Sequence, residues 1–123
     1  MKYLILIHSN PQPWGHPTFD FTNEGRATPV AEREKLNKEF EEMLTELSGA
    51  GELISGQALG PAADAKIYRL KGGRRVTTDG PYAEAKEHLA GFFLLEVASQ
   101  ERAEAIAERF ASPGDTIELR PLM

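Results

Sequence analysis

Residues 89–97 read LAGFFLLEV, a run with apolar side chains on both faces of the strand that the pattern predicts. Alternate side chains place Phe93, Leu95 and Val97 on one face and Phe92 and Leu94 on the other. Residues 2–8, KYLILIH, repeat the pattern near the N-terminus. Strands that are apolar on both faces are typical of a sheet interior, because both faces must be buried. The two segments therefore predict the buried interior strands of one sheet.

The rest of the chain predicts two helices, a hairpin and two more strands. These are a helix from Thr28-Pro29 to Gly49, a strand over residues 52–59, a β-hairpin over residues 64–78, a helix from Ser99 to Pro113-Gly114, and a strand over residues 116–120. Without the inserted hairpin the order is βαββαβ, which is that of an α+β, ferredoxin-like fold. No linker interrupts it, so we expect a single domain over residues 1–123.

A long connection over residues 8–28 separates the first strand from the first helix, and it is broken by Pro11, Pro13, Gly15 and Pro17. A connection of this length inside a compact domain is usually a binding loop or a disordered segment. Trp14, Phe19 and Phe21 favour a loop that docks on the domain, because exposed aromatic side chains gain by burial.

The number of helices available to cover the sheet predicts a homodimer. Two helices can cover only one face of a four-stranded sheet, yet the interior strands are apolar on both faces. We expect a second copy to cover the other face, with sheet packed against sheet. The alternative is a monomer in which the connection over residues 8–28 folds across that face.

Composition excludes several classes of protein. The 123 residues carry 14 Lys+Arg and 19 Asp+Glu, a net charge of −5, which argues against a direct nucleic-acid binder. No cysteine is present, and the three histidines show no paired metal-ligand spacing, so we expect no metal and no cofactor. The apolar run at residues 4–7 is too short for a membrane span or a signal-peptide core. A cytoplasmic protein without a membrane partner is the resulting expectation.

Residues 79–88, DGPYAEAKEH, form the densest polar cluster. Asp79 and Glu84 are candidate acid–base residues, since a carboxyl group beside an apolar pocket can hold a raised pKa. His8 joins them as a catalytic candidate because it lies at the end of a predicted interior strand. The expected ligand contacts are Ser55, Tyr82, Lys86 and Trp14. The alternatives are a turn-forming Asp79, a solvated pair at positions 86 and 87, and a structural His8.

The predicted hairpin is basic. Its positive side chains are Lys66, Arg69, Lys71, Arg74 and Arg75, and only Asp64 opposes them. This charge can steer an acidic ligand or dock on an acidic protein surface. The alternative is an exposed edge that its charges keep soluble.

The cluster at residues 79–87, DGPYAEAKE, together with LAGFFL at residues 89–94, resembles the signature of the DGPF branch of the YCII-related family. Tyr82 stands where that signature has Phe, and Ala85 stands where it has Thr or Ser. Residues 1–7 and 51–59 also match. The resemblance implies a ferredoxin-like fold that pairs into a dimeric α+β barrel.

The resemblance implies less about activity. Some YCII-like relatives are lyases or peroxidase-like enzymes with a His–Asp pair, and near those positions this chain carries Phe40 and Gly49, so their chemistry is not carried over. Other DGPF members resemble proteins encoded beside extracytoplasmic-function sigma factors. One hypothesis is therefore a dimer that binds a small polar organic ligand near the Asp79-Gly80-Pro81 turn, with lyase- or isomerase-like acid–base chemistry. The other is a non-catalytic accessory partner of such a sigma factor.

Overall fold

The computed structural model describes residues 1–123, and it has an α+β architecture. Its strands are β1 (Lys2–Ser9), β2 (Leu53–Ala58), β3 (Lys66–Lys71), β4 (Arg74–Asp79), β5 (His88–Glu96) and β6 (Thr116–Pro121). Its α-helices are α1 (Asn23–Ala27), α2 (Val30–Gly49) and α3 (Gln100–Phe110). Single 3₁₀ turns occupy Thr18–Phe21 and Ala62–Asp64. None of the helices combines the length and apolar character that a membrane crossing needs.

The main sheet has four antiparallel strands in the order β2-β5-β1-β6. β5 and β1 hold the two central positions, which confirms the prediction from their two apolar faces. This order, with helices α2 and α3 in the two connections, is compatible with a ferredoxin-like fold. β3 and β4 pair with each other as a separate two-stranded sheet, from Lys66↔Asp79 to Lys71↔Arg74.

The hydrophobic core lies between one face of the main sheet and the helices α2 and α3. Its buried members are Tyr3, Ile5, Met43, Leu47, Leu95, Val97, Ala103, Ile106 and Phe110. The sheet supplies alternate residues of β1 and β5, and the helices supply residues at helical spacing. This side of the sheet is therefore the core-facing side.

The helix ends show how local side chains set the boundaries. The Ser99 side chain accepts a hydrogen bond from the Arg102 backbone N–H at 3.1 Å, which confirms Ser99 as the cap of α3. α2 begins at Val30 after Pro29 and has no side-chain cap. Thr28 instead donates its hydroxyl to the Glu24 carbonyl at 2.9 Å, so the predicted cap residue closes α1 rather than opening α2.

The long connection folds against the domain. Phe19 is buried, and the Trp14 indole N–H donates to the Leu59 carbonyl at 2.8 Å. The Arg26 guanidinium donates to the backbone carbonyls of Gln12 and Phe21 at 2.7 and 2.6 Å and so closes the loop on itself. These contacts confirm the docked interpretation over the disordered one.

The second face of the main sheet carries no helix. Its centre consists of Leu4 opposite Leu94 and Leu6 opposite Phe92, and all four side chains are half-buried. We call these four residues the open face. Residues 16–19 of the connection lie on the helix-bearing side, where they line a cavity with α2.

Candidate functional site

A cavity of about 640 Å³ separates part of α2 from the main sheet; we call it the α2 cavity. α2 contributes Leu36, Phe40 and Met43 to one wall, and the sheet contributes residues of β1, β2 and β5 to the other. Residues 16–19 of the long connection and the end of α3 with the turn that follows it close the sides. Its volume lies within the roughly 300–1,000 Å³ range of small-molecule sites.

Glycines on the two sheet strands shape the cavity floor. A side chain at Gly91 would meet the Gln57 carbonyl oxygen of the neighbouring strand at 2.9 Å, and a side chain at Gly56 would overlap the ring of Phe93. Gly56 therefore lets the Phe93 ring lie directly over the backbone of β2. A larger residue at either position would push the strand or the ring out of place.

Three phenylalanine rings form the apolar wall of the α2 cavity. The centroids of Phe93 and Phe110 lie 5.1 Å apart, and Phe40 meets Phe110 edge-on at 5.6 Å and Phe93 at 6.3 Å. These are ordinary separations for aromatic pairs, so the wall is a packed unit rather than three loose rings. It offers ring faces and edges to an apolar ligand body.

The polar end of the α2 cavity is the carboxyl group of Asp115. One of its oxygens accepts a hydrogen bond from the Ser9 hydroxyl at 2.5 Å, and the other accepts from Thr18 at 2.7 Å and from Ser112 at 3.1 Å. Burial raises the pKa of Asp115; the three hydroxyl donors oppose the shift, and the nearby charge of Glu87 adds to it. A carboxyl group with a raised pKa beside an apolar wall is suited to proton transfer.

Sequence reasoning missed Asp115. It lies directly after Pro113-Gly114, which was interpreted only as the end of a helix. Its partners Ser9 and Thr18 are 106 and 97 residues away along the chain. The one local signal is an Asp at the start of an edge strand, and that signal alone does not distinguish a turn residue from a site residue.

Charged side chains of α2 and α3 border the α2 cavity. Glu39, Glu42 and Glu46 follow one side of α2, and Arg109 of α3 donates to Glu46 at 3.0 Å. His16 lies on the opposite side, with Nε2 2.9 Å from the Leu59 carbonyl oxygen. A carbonyl oxygen can only accept, so Nε2 of His16 carries the proton of that bond.

The predicted catalytic residues are not brought together. The Asp79 side chain is 79% exposed and pairs with the Lys66 ammonium group at the base of the hairpin. Glu84 is exposed, and neither carboxyl group lines the α2 cavity.

His8, the third predicted catalytic residue, is adjacent to the open face, where its Nε2 atom lies 2.9 Å from a carboxylate oxygen of Glu118. That hydrogen bond, assisted by one from Arg120, lowers the pKa of Glu118. A catalytic role for Asp79, Glu84 or His8 stays a prediction.

The predicted ligand contacts are also dispersed. Tyr82 and Lys86 are exposed, and the Arg69 guanidinium carbon lies 5.5 Å from the centroid of the Tyr82 ring. Ser55 is exposed on β2, opposite Leu94. Trp14 is the one of the four near the α2 cavity, because its ring meets His16 edge-on with 6.3 Å between centroids. No group of three or more His, Asp and Glu side chains is arranged to hold a metal ion.

The fold and the cavity together define a small α+β domain with a ligand-sized cavity between a helix and a sheet. The chain belongs to the YCII-related domain family, whose model matches residues 1–122. An uncharacterized protein of Rhizobium meliloti (strain 1021) is 31% identical to it over 94 residues, which is 74% of this chain and 76% of that protein.

Asp115→Asn tests the burial of the carboxyl group. Because the pKa of Asp115 is raised in the folded state, the native state binds the proton more tightly than the unfolded state does. Stability therefore falls as pH rises from the unfolded-state pKa to the folded-state pKa of this group. From about pH 4 to about pH 7, the free energy of unfolding of the wild type should decrease relative to that of the variant. Urea denaturation at several pH values measures this difference. If the free energies of unfolding of the wild type and of the variant change equally with pH, the raised pKa of Asp115 is contradicted.

Proposed function

We propose that this protein is a cytoplasmic homodimer that binds a small polar organic ligand in the α2 cavity and acts on it by acid–base chemistry of the lyase or isomerase type. The single observation that carries the proposal is a cavity of about 640 Å³ with a wall of packed aromatic rings and one half-buried carboxyl group. Small-molecule sites typically combine an apolar lining with a few convergent polar groups.

The proposed proton-transfer residue is Asp115. A general acid or base works best when its pKa lies nearer the working pH than that of an ordinary carboxyl group, and burial moves the pKa of Asp115 in that direction. Ser9 and Thr18 orient the carboxyl group, so a bound ligand would meet it in a fixed position. Resemblance at residues 79–87 supports placing the protein in the DGPF branch of its family.

Filling the α2 cavity should abolish ligand binding. Ala58 lines the cavity with an exposed side chain, so Ala58→Trp would place an indole at its opening without replacing a core residue. Ala63→Trp is the matched control, since Ala63 is exposed and lies outside the cavity. Thermal-shift screening against small carboxylic acids, enols, phenols and amines should find compounds that raise the Tm of the wild type and of Ala63→Trp alone.

Two outcomes of that screen contradict the proposal. One is a wild-type protein that no compound stabilises. The other is a compound that stabilises Ala58→Trp as much as the wild type, which places binding elsewhere. If Asp79→Asn then abolished that binding, the site would move to the turn at residues 79–81.

The open face supports the proposed dimer. Leu4, Leu6, Phe92 and Leu94 form a continuous apolar patch on a sheet face that no helix covers, and a second copy packed sheet against sheet would bury it. His8 and Glu118 would then lie beside the interface, because Leu6 is opposite Glu118 in the register with β6.

Leu6→Lys should dissociate the dimer, because an ammonium group would be buried in the apolar interface. Leu70→Lys is the control, since Leu70 is 67% exposed on the hairpin. Light scattering after gel filtration should give twice the 13.6 kDa chain mass for the wild type and the control, and a single chain mass for Leu6→Lys. A monomeric wild type would contradict the dimer.

A second candidate function is that of a non-catalytic accessory protein, for example a partner of an extracytoplasmic-function sigma factor. The observation that favours it is the basic hairpin of β3 and β4. On one face of this hairpin Tyr68 and Leu70 are 72% and 67% exposed. An isolated two-stranded hairpin is marginally stable in water, so a partner surface would stabilise it.

Charge reversal at Arg74 and Arg75 to Glu tests this second function. The double variant should lose a salt-sensitive complex with the sigma factor encoded nearest its gene, measured by pull-down at low and high salt. Reversal of Lys35 and Lys38, which are exposed on α2, is the control. If the pull-down recovers as much sigma factor with the double variant as with the wild type, docking through the hairpin is contradicted.

A further inference from the structure

We propose that the α2 cavity selects a cationic ligand, namely an amine whose ammonium group lies at Asp115 and whose apolar or aromatic body lies against the phenylalanine wall. The inference rests on the proposed function, because it names the ligand class of that same cavity. It comes from three properties of the lining: its charge balance, the acceptor capacity of Asp115, and the position of the aromatic rings.

The charge balance of the lining disfavours anions. Four carboxyl groups line the cavity, from Glu39, Glu42, Glu46 and Asp115, and the only guanidinium group is that of Arg109. Arg109 is already paired with Glu46 at 3.0 Å. Glu39 is paired as well, with Lys35 of the same helix at 3.9 Å, and the Nε2 proton of His16 is held by the Leu59 carbonyl. A ligand carboxylate or phosphate would therefore find no unpaired Arg or Lys among the lining residues and would be repelled by the carboxylates of Glu42 and Asp115, whereas an ammonium group would be attracted.

The hydrogen bonds of Asp115 leave room for one more donor. An ionised carboxyl group offers about four acceptor positions on its two oxygens. Three are occupied, because the Ser9 hydroxyl donates to one oxygen and the hydroxyls of Thr18 and Ser112 donate to the other. The free position lies on the oxygen that Ser9 contacts. An ammonium N–H fits it, and the resulting bond would be charge-assisted on both sides.

The aromatic wall suits the rest of such a ligand. Phe40, Phe93 and Phe110 pack with centroids 5.1 to 6.3 Å apart and line the same cavity as Asp115. Their rings can stack with an aromatic body, and their faces attract a cation through the ring quadrupole. Met43 adds a buried, polarisable side chain to the same wall. An arylalkylamine matches both ends of the cavity.

The test compares three ligands of nearly the same shape, 2-phenylethylamine, 2-phenylethanol and 3-phenylpropionate, by isothermal titration calorimetry at neutral pH. The wild type should bind the amine at least about tenfold more tightly than the alcohol or the acid, as one charge-assisted hydrogen bond allows. Asp115→Asn should reduce amine affinity by about tenfold and leave alcohol affinity nearly unchanged. Glu101→Gln removes an exposed carboxyl group of α3 outside the cavity and should change none of the three affinities.

The outcomes separate this inference from the proposed function. If the acid or the alcohol binds as tightly as the amine, and binding is lost in Ala58→Trp, the cavity is the ligand site and the cationic class is wrong. If Asp115→Asn keeps the preference for the amine, the assignment of the ammonium group to Asp115 is wrong. If none of the three binds the wild type, the arylalkylamine class is wrong, and the thermal-shift screen alone decides whether the α2 cavity is a ligand site. If all three bind Ala58→Trp as tightly as the wild type, the α2 cavity is not the site and both proposals fall.

Discussion

Three hydroxyl groups converge on the carboxyl group of Asp115, and the candidate site depends on that convergence. Ser9 ends the first strand, Thr18 belongs to the long connection, and Ser112 lies in the turn after α3. One half-buried carboxyl group therefore joins the turn after α3 to Ser9 and Thr18, which lie about a hundred residues earlier in the chain. Without it, Thr18 would lose its hydrogen bond to the turn after α3, and residues 16–19 would be held less firmly at the side of the α2 cavity.

This arrangement has a thermodynamic consequence that links structure to function. Burial raises the pKa of Asp115, so ionising the carboxyl group costs stability that the hydroxyl donors only partly restore. A ligand that supplies a further donor or a positive charge would offset that cost on binding. The same group thus contributes least to stability when the cavity is empty and the pH is high, which is typical of residues placed for function.

Local patterns predicted the sheet and the helices because burial of one face makes apolar residues recur at a short, regular spacing, about every second residue in a strand and every third or fourth in a helix. The two-sided apolar runs of β1 and β5 placed them at the centre of the sheet, and Ser99 marked the start of α3. The candidate site around Asp115 could not be predicted from such local patterns. Two of the three hydroxyls around its carboxyl group, those of Ser9 and Thr18, are about a hundred residues away along the chain, and the cavity lining comes from two helices, three strands and the segments that connect them. The sequence pattern predicts a site in the dense polar cluster at residues 79–88 instead, yet Asp79 of that cluster pairs with Lys66 at the base of the hairpin.

Methionine-methyl NMR tests the central claim, that the α2 cavity is the ligand site, most directly. Met43 lies 2% exposed in the cavity wall, whereas Met1 and Met123 are exposed at the chain ends. Titration of ¹³C-methyl-labelled protein with 2-phenylethylamine should shift the Met43 resonance in a saturable way and leave the other two unchanged. A Met43 resonance that stays in place while calorimetry reports binding would contradict the account.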